Sequence, residues 1–398
     1  MILDAVLDFL ANGLTRATGW EIFFFTLIVT HITICGVTIY LHRSATHRGL
    51  DLHPIAAHFF RFWLWMTTGM VTKEWVAIHR KHHAKCETEE DPHSPVVKGI
   101  KKVFFEGAEL YRQEAKNRET MQKYGYGTPD DWIERNLYTK HSALGVSIML
   151  ILDVLMFGAV GLAVWAVQMA WIPFWAAGVV NGIGHYWGYR NYECNDAATN
   201  VFPIGIIIGG EELHNNHHTY GTSAKFSCKW YEIDIGWMYI RMLSAVGLAK
   251  VKKVVPEPKF DRSKLQLDFD TLQSVIANRY DVTATYAKSL RRIWAEEVEH
   301  LKEKAKLESR FLRSSRKLLS REPSQLQEPH KQQLTTLFQH SNQLKTMHEM
   351  RVELGGLWER SHASRDQLLQ QLQDWCARAE SSGIVALRDF SLRLRSYA

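Results

Sequence analysis

The chain of 398 residues has only five cysteines, Cys35, Cys86, Cys194, Cys228 and Cys376, odd in number, scattered and without CxxC spacing. That excludes a disulfide framework and a thiolate metal cluster, and it fits reduced thiols in a cytosolic setting. The sequence also lacks a GxGxxG stretch opening a βαβ unit, a Cys-rich cluster motif and a haem attachment motif. Any electrons used in redox chemistry must therefore come from a separate protein. Met1 to Gly19 carries Asp4 and Asp8 within its apolar stretch and no basic leader, which is not the pattern of a cleaved secretion signal. The net charge of +6 is modest, and basic clusters are not interleaved with aromatic residues, which argues against nucleic-acid binding. The basic excess suits lipid headgroups or an acidic redox partner.

Hydrophobic residues make up 46% of the chain, an ordinary share for a soluble protein, but they are segregated. Trp20 to Leu41 is apolar but for Glu21, long enough for a hydrocarbon core that takes about 20 helical residues. Ala143 to Gly184 is apolar for about twice that span, interrupted by Asp153, by Gly158 and Gly161 and by Pro173. It predicts two helices joined by a tight turn, a membrane hairpin. Buried helices of a large soluble core are the alternative, disfavoured by these lengths and by the flanking tryptophans. Pro54 to Val71 is amphipathic, with His58, Arg61, Trp63 and Trp65. Were it to cross the bilayer, residues 42–47 and 79–83 would end on opposite faces, so a common site requires it to lie in the interface or dip and return. The hairpin then delivers His185 to the same side. Arg43, Arg48, Arg80 and Lys81 make that side cytoplasmic by the positive-inside rule. Beyond Val254-Val255-Pro256-Glu257-Pro258 the composition turns to Lys, Arg, Glu and Gln, with leucines at helical spacing over 366–373. The expected domains are 1–255 and 256–398. The expected fold class is all-α: an integral membrane helical bundle with a cytoplasmic helical cap, then soluble helices in a small bundle or coiled hairpin that forms a scaffold or partner surface.

Histidine dominates what remains. His79, His82 and His83 repeat the spacing of His214, His217 and His218, and His42 and His47 stand beside the first apolar run. On a helix, positions i, i+3 and i+4 share one face, so each triple can point at one metal centre. With 19 histidines the HxxHH pattern arises by chance at roughly one start position in ten thousand, so two copies signal function. Imidazole alone does not name the metal. Structural zinc closes at four ligands and catalytic zinc uses three, so eight convergent histidines imply two metals. His185, at the end of the hairpin and one helical turn from Asn181, is a ninth candidate. An oxygen-activating di-iron centre on the cytoplasmic face, within reach of a soluble electron donor, is the leading reading.

The motifs HRSATH at 42–47, EWVAIHRKHH at 74–83, DPHSP at 91–95, NGIGHYWGYRNY at 181–192 and GGEELHNNHHTY at 209–220 resemble, in order and spacing, the membrane fatty acyl desaturases of the Δ9, stearoyl-CoA desaturase-like type. The resemblance covers about residues 20–240 and implies a bacterial member. It implies that His42, His47, His79, His82, His83, His185, His214, His217 and His218 hold two iron ions, and that Asn181 reaches one through a water. It implies a reaction using dioxygen and two external electrons to place a cis double bond in a saturated acyl chain carried on CoA or lipid. A ferredoxin or ferredoxin-like reductase would be the donor, and a bacterial cytoplasmic membrane the location. Four residues separate His42 from His47, whereas methyl-end desaturases and alkane hydroxylases that share the histidine plan generally have a shorter first box. Two departures leave the acyl carrier and the crossing number open: the third box reads Gly-Glu-Glu-Leu, and only Ile2 to Leu14 precedes the first run.

Among the other histidines, His93 is expected, with Asp91, to orient metal ligands. His53, His58 and His141 match no ligand position. His300, His330, His340, His348 and His362 read as surface residues of the tail. His31, mid-run, is read as a neutral ring bonded to a neighbouring helix rather than a liner of the acyl path. Tyr186, Trp187, Tyr189 and Tyr192 either shape a substrate channel or form an interfacial belt, and Cys86 is a bystander. Two alternatives stand beside the desaturase: a di-iron acyl or alkane hydroxylase, and a membrane metal-binding or transport protein. A transporter would place its ligands inside the spans, whereas these clusters lie beyond them.

Overall fold

A capping box opens the first long helix: Thr18 and Glu21 satisfy each other's backbone amides. The computed structural model describes residues 2–398 apart from 195, 262, 265, 304–306, 320–325 and 360–362, so His362 lies outside the described residues. The chain divides into two compact units, Met1–Val255 and Pro256–Ala398. Both are mostly helical, and the described strands form only two short pairs.

In the first unit a short exposed helix, α1 (Ile2–Asn12), precedes α2 (Gly19–Cys35). The latter runs on without a break through Gly36–Thr46, where the turns widen to i→i+5 bonding, giving one apolar helix of 28 residues. This wide segment explains the spacing of the first histidine pair. A five-residue step turns about 140° around an α-helix, but it closes one hydrogen bond of the wide form. The His47 amide donates to the His42 carbonyl at 3.1 Å, and the two rings sit 4.9 Å apart on one face.

After β1 (Leu50–Leu52), α3 (Pro54–Thr68) runs beside the second half of that long helix. Trp63 Nε1 donates to Thr33 Oγ1, which in turn donates to Thr67. Gly69, at φ 65°, turns the chain back into α4 (Thr72–Lys85). There Tyr40 bonds Thr72, and the Arg80 guanidinium donates to the carbonyls of Ala45 and Thr46. The segment thus turns back on itself, setting residues 79–83 beside 42–47.

Next come α5 (Pro95–Lys98), α6 (Ile100–Ala115) and α7 (Arg118–Tyr124). The expected hairpin follows as α8 (Ser142–Phe157) and α9 (Val160–Ile172). Its turn is at Gly158 (φ 62°), where a Cβ would stand 2.5 Å from two carbonyl oxygens. Pro173, expected to interrupt the hairpin, does not end its second helix. Lacking an N–H and crowding the carbonyl one turn back, it begins a second wide-turn segment, Pro173–Gly182, and the helix continues to His185. Gly107 of α6 packs on that segment so closely that a Cβ would lie 2.7 Å from the Ala177 Cβ.

The third histidine region is α10 (His214–Thr219), between β2 (Ile204–Gly205) and β3 (Ile233–Asp234), which pair in parallel; α11 (Ile235–Ala245) and β4 (Ala249–Val251) complete the unit. β4 pairs antiparallel with β1, Leu50 opposite Val251. Ile34, Ile39, Leu64, Ile172, Val179 and Ile240 share one core. Two helices, Gly19–Thr46 and Val160–His185, are long and apolar enough to cross a membrane, and α8 is a shorter apolar helix. Their outward faces carry Trp20, Phe23, Phe24, Ile28, Ile151 and Leu162, all exposed.

The second unit contains α12 (Phe269–Ala277), α13 (Arg279–Glu303), α14 (Ser309–Leu319), α15 (Glu328–His340), α16 (Asn342–Glu359), α17 (Arg365–Ser381) and α18 (Val385–Arg395). They enclose a separate core around Tyr286, Trp375 and Phe390. Tyr286 donates to the Met347 carbonyl and Trp375 to that of Met350, which satisfies both buried polar atoms. His348, expected at the surface, is half-buried, because α15 packs on α16 and sets the Phe338 ring 5.3 Å from its own.

Candidate metal centre

The nine histidines fall into two groups. His42, His47, His79, His83 and His217 form one, and His82, His185, His214 and His218 the other. Within each, the ligand atoms lie within 4.8 Å of one another. This corrects the expectation that each HxxHH triple points at a single centre. On an α-helix the i and i+4 positions diverge by about 40°, whereas i+3 lies to one side of both. On α4 the pair His79/His83 therefore serves the first group and His82 the second, and on α10 His214/His218 serves the second and His217 the first. Each helix straddles both centres in the opposite sense.

The rings aim their Nε2 atoms inward. His42 and His217 approach Nε2 to Nε2 at 3.0 Å, His217 and His83 at 3.0 Å, His79 and His83 at 3.1 Å, His82 and His185 at 3.2 Å, and His185 and His214 at 2.9 Å. His47 Nε2 and His218 Nε2 are buried with no partner. On the outer side Nδ1 meets carboxylates: His42 to Glu211 at 2.7 Å, His82 to Asp91 at 3.0 Å, His218 to Asp196 at 2.9 Å and His185 to Glu87 at 3.5 Å. A carboxylate on Nδ1 keeps the proton there and leaves the Nε2 lone pair free. Convergent lone pairs about 3 Å apart repel one another unless a cation lies between them, and bonds of about 2.1 Å at right angles would give that same separation. The donor set fits two metal ions held by neutral imidazoles.

Electrostatics agree. Burial, reinforced by the neighbouring rings, pushes the pKa values of His47, His79, His83, His214, His217 and His218 well below 6.5. Burial alone would raise Asp91, but His82 beside it and the backbone amides it accepts hold it at about 2. His93, expected to act with Asp91, sets its ring 4.4 Å from that of His82 at an angle of 31°, and burial brings its pKa to about 3.

A cavity of about 530 Å³ brings His42, His79, His93, Asn181 and Glu211 together with an otherwise largely apolar wall that includes Val37, Met70, Ile78, Ile172, Ala176 and Val180. Asn181 thus faces the cavity with the first group's residues, while His185, four positions on, joins the second group. Tyr186, Trp187, Tyr189 and Tyr192 do not line this cavity, so the channel role considered for them is not supported there. Tyr186 and Trp187 are exposed, Tyr189 bonds Glu232, and Tyr192 is buried against Tyr220. Among the remaining histidines, His31 Nε2 meets Tyr239 OH at 2.9 Å, His53 caps α3 through its ring, and His141 precedes α8 with its carbonyl accepting from Trp65.

Sequence reasoning missed Glu87, Asp196 and Glu211. Glu211 sits in the third histidine motif, but Glu87 and Asp196 carried no periodic signal. Cys86, expected to be a bystander, lies 4.0 Å from His82 Nε2 and 3.9 Å from His185 Nδ1, and burial raises its pKa, which keeps it a thiol. Asn215 and Asn216, between the histidines of α10, are structural. Asn215 accepts the amides of Asn191 and Tyr192, and Asn216 donates to Glu232 and the Phe226 carbonyl.

Residues 18–241, more than half of the chain, match the fatty acid desaturase family model. The chain belongs to the fatty acid desaturase family. This desaturase is 31% identical over 255 residues to an acyl-CoA 5-desaturase of Anemone leveillei, covering 60% of this chain and 74% of that protein. It is 29% identical over 227 residues to the sn-1 stearoyl-lipid 9-desaturase of Synechocystis sp., covering 56% and 68%. To the delta-9 acyl-lipid desaturase 1 of Arabidopsis thaliana it is 28% identical over 242 residues, covering 60% and 77%. Family membership makes it an oxidoreductase acting on fatty acyl chains. Separately, residues 271–398 match a transposase family model.

Proposed function

We propose that the chain is an oxygen-dependent acyl desaturase that introduces a cis double bond, at the Δ9 position, into a saturated chain carried on CoA or lipid. Its iron ligands are His42, His47, His79, His83 and His217 for one ion and His82, His185, His214 and His218 for the other, with Asn181 acting through a water. The observation that carries this reading is the convergence of these rings beside a largely apolar cavity that includes His42 and His79. Two bound irons supply oxygen activation: dioxygen, two electrons and two protons go to two waters as two hydrogens leave adjacent carbons. The cavity holds the acyl chain and excludes water. Asp91 and Asp196 hold the Nδ1 protons of His82 and His218 and so fix those two rings, with Glu211 and Glu87 placed beside the Nδ1 atoms of His42 and His185.

The first unit, 1–255, is the membrane desaturase domain, and 256–398 is a polar helical region. Gly19–Thr46, α8 and Val160–His185 cross the cytoplasmic membrane of a bacterium with the histidines on the cytoplasmic side, where a ferredoxin or ferredoxin-like reductase delivers electrons. The exposed apolar faces of these helices support the membrane reading, since helices of a soluble core would bury them. The test is lipid analysis of a desaturase-deficient bacterial host expressing the chain, with double-bond positions mapped by mass spectrometry. New Δ9 monoenes are expected. Hydroxylated chains without monoenes would overturn the assignment.

A further inference from the structure

We propose that the first unit has a further bilayer-contacting surface, made by the outward face of α11 and the β2–β3 strand pair. The inference rests on the reading that Gly19–Thr46 crosses a bilayer.

Met238, Met242 and Val246 follow one another at four-residue steps and are 49%, 59% and 69% exposed, while Gly236 and Ile240 on the opposite face are buried. No Asp or Glu occurs between Ile235 and Val246. The cation on the outward face, Arg241, has a long stem whose head can reach the headgroups. Beside this helix, Ile204 and Ile233 are register partners and both point outward, flanked by the exposed Ile207. Isolated apolar residues on a surface are ordinary, whereas apolar side chains repeated along one helix face and again on the strand pair that leads into it mark a contact.

The position of the patch selects lipid as its occupant. Tyr239 of α11 bonds His31, and Thr38 donates to the Glu211 carboxylate at 2.6 Å with the Gly209 carbonyl alongside at 3.3 Å. Both anchors lie within the apolar run from Trp20 to Leu41. If that run spans a hydrocarbon core of about 30 Å, elements fastened at residues 31 and 38 lie at or below the headgroup boundary. Their outward faces then meet acyl chains, as those of interfacial helices do. Ile55, Phe59 and Phe62, exposed along one face of α3, repeat the arrangement on another helix packed on the same span.

The experiment uses the full chain in phospholipid nanodiscs. Nitroxide labels are placed singly by Met242→Cys and Ile207→Cys, by Leu27→Cys as a reporter of the span, and by Glu119→Cys as a water-exposed reference, after replacing reactive native thiols with retention of activity. Collision with dissolved oxygen against a water-soluble nickel chelate is measured at each label. Labels at 242 and 207 are expected to lose nickel collisions and gain oxygen collisions, as at 27. If they behave like 119, or are shielded from both reagents as under a protein surface, while 27 reads as lipid, the surface is not a lipid contact and the proposal is overturned. A nickel-accessible label at 27 would instead remove the membrane-span reading, and this inference with it.

Discussion

Arg43, the residue after His42, is wholly buried against Asp234, the residue that caps α11. Its guanidinium meets both carboxylate oxygens at 2.9 and 3.0 Å, donates to the carbonyls of Gly209 and Ala224, and lies 3.7 Å from the Phe226 ring centroid. The first histidine pair is thereby tied to the segment that follows the last one, across almost two hundred residues. Asp234 also accepts the amides of Trp237 and Phe226, so one carboxylate organises a helix start and a cation together.

Removing that carboxylate should be severe. Asp234→Ala leaves a buried guanidinium unpaired, a loss of about 3–5 kcal/mol, and loosens the end of the helix that carries His42 and His47. Thermal unfolding of the purified chain should show a large drop in melting temperature together with lowered iron content. Arg43→Lys keeps the charge without the fork and should fall between Asp234→Ala and the unaltered chain. An Asp234→Ala protein that melts like the original would refute the role given to the pair.

His185 lies outside the repeated triples, so it tests the grouping rather than the motif. His185→Ala should abolish double-bond formation while membrane insertion and expression stay near normal, because one ion loses a ligand. His141→Ala, whose ring the site does not use, should retain most activity. Desaturation measured in the deficient host decides between them; full activity in His185→Ala would reduce the ligand set to eight.

The site should be sensitive to acid. His47, His79, His83, His214, His217 and His218 are held neutral well below 6.5, first by burial and then by one another. An unfolded chain takes up these protons near pH 6.5 and the folded chain refuses them, so the metal-free fold is at full stability above that pH and loses it as pH falls. Bound metal competes with the same protons. Melting temperature of chelator-treated protein should therefore decline from about pH 7 to about pH 5, with iron released over the same range. A flat profile would contradict the burial of neutral rings.

Electron supply should be external. The purified chain with NADPH and oxygen alone should not turn over, and adding a ferredoxin with its reductase should start product formation. Turnover without them, free of contaminating reductase, would count against the donor assigned here.

The sequence disclosed the histidines because their spacing is periodic, and the helical runs because their apolar length is extreme. It did not disclose how the rings are shared. That depends on how α4 and α10 are rotated against each other, which Arg80, Asn215 and Asn216 settle through contacts distant in the chain. The step from His42 to His47 held a legible clue, since a five-residue repeat suits the wide helical form better than the α form. Pro173, read as an interruption of the apolar run, sits inside the second helix of the hairpin because the same wide form absorbs a proline that would break an α-helix. Glu87 and Asp196 were hidden because each sits in an irregular stretch and meets its histidine only after folding. In the tail, leucine spacing announced helices packed as a small bundle or hairpin, but not that Tyr286 and Trp375 would stand in its core.

The most direct test of the central claim is the metal content of the purified, fully loaded chain. Two iron atoms per polypeptide are predicted, one for each histidine group. One zinc per chain with no iron, metal exchange during expression having been excluded, would contradict the account.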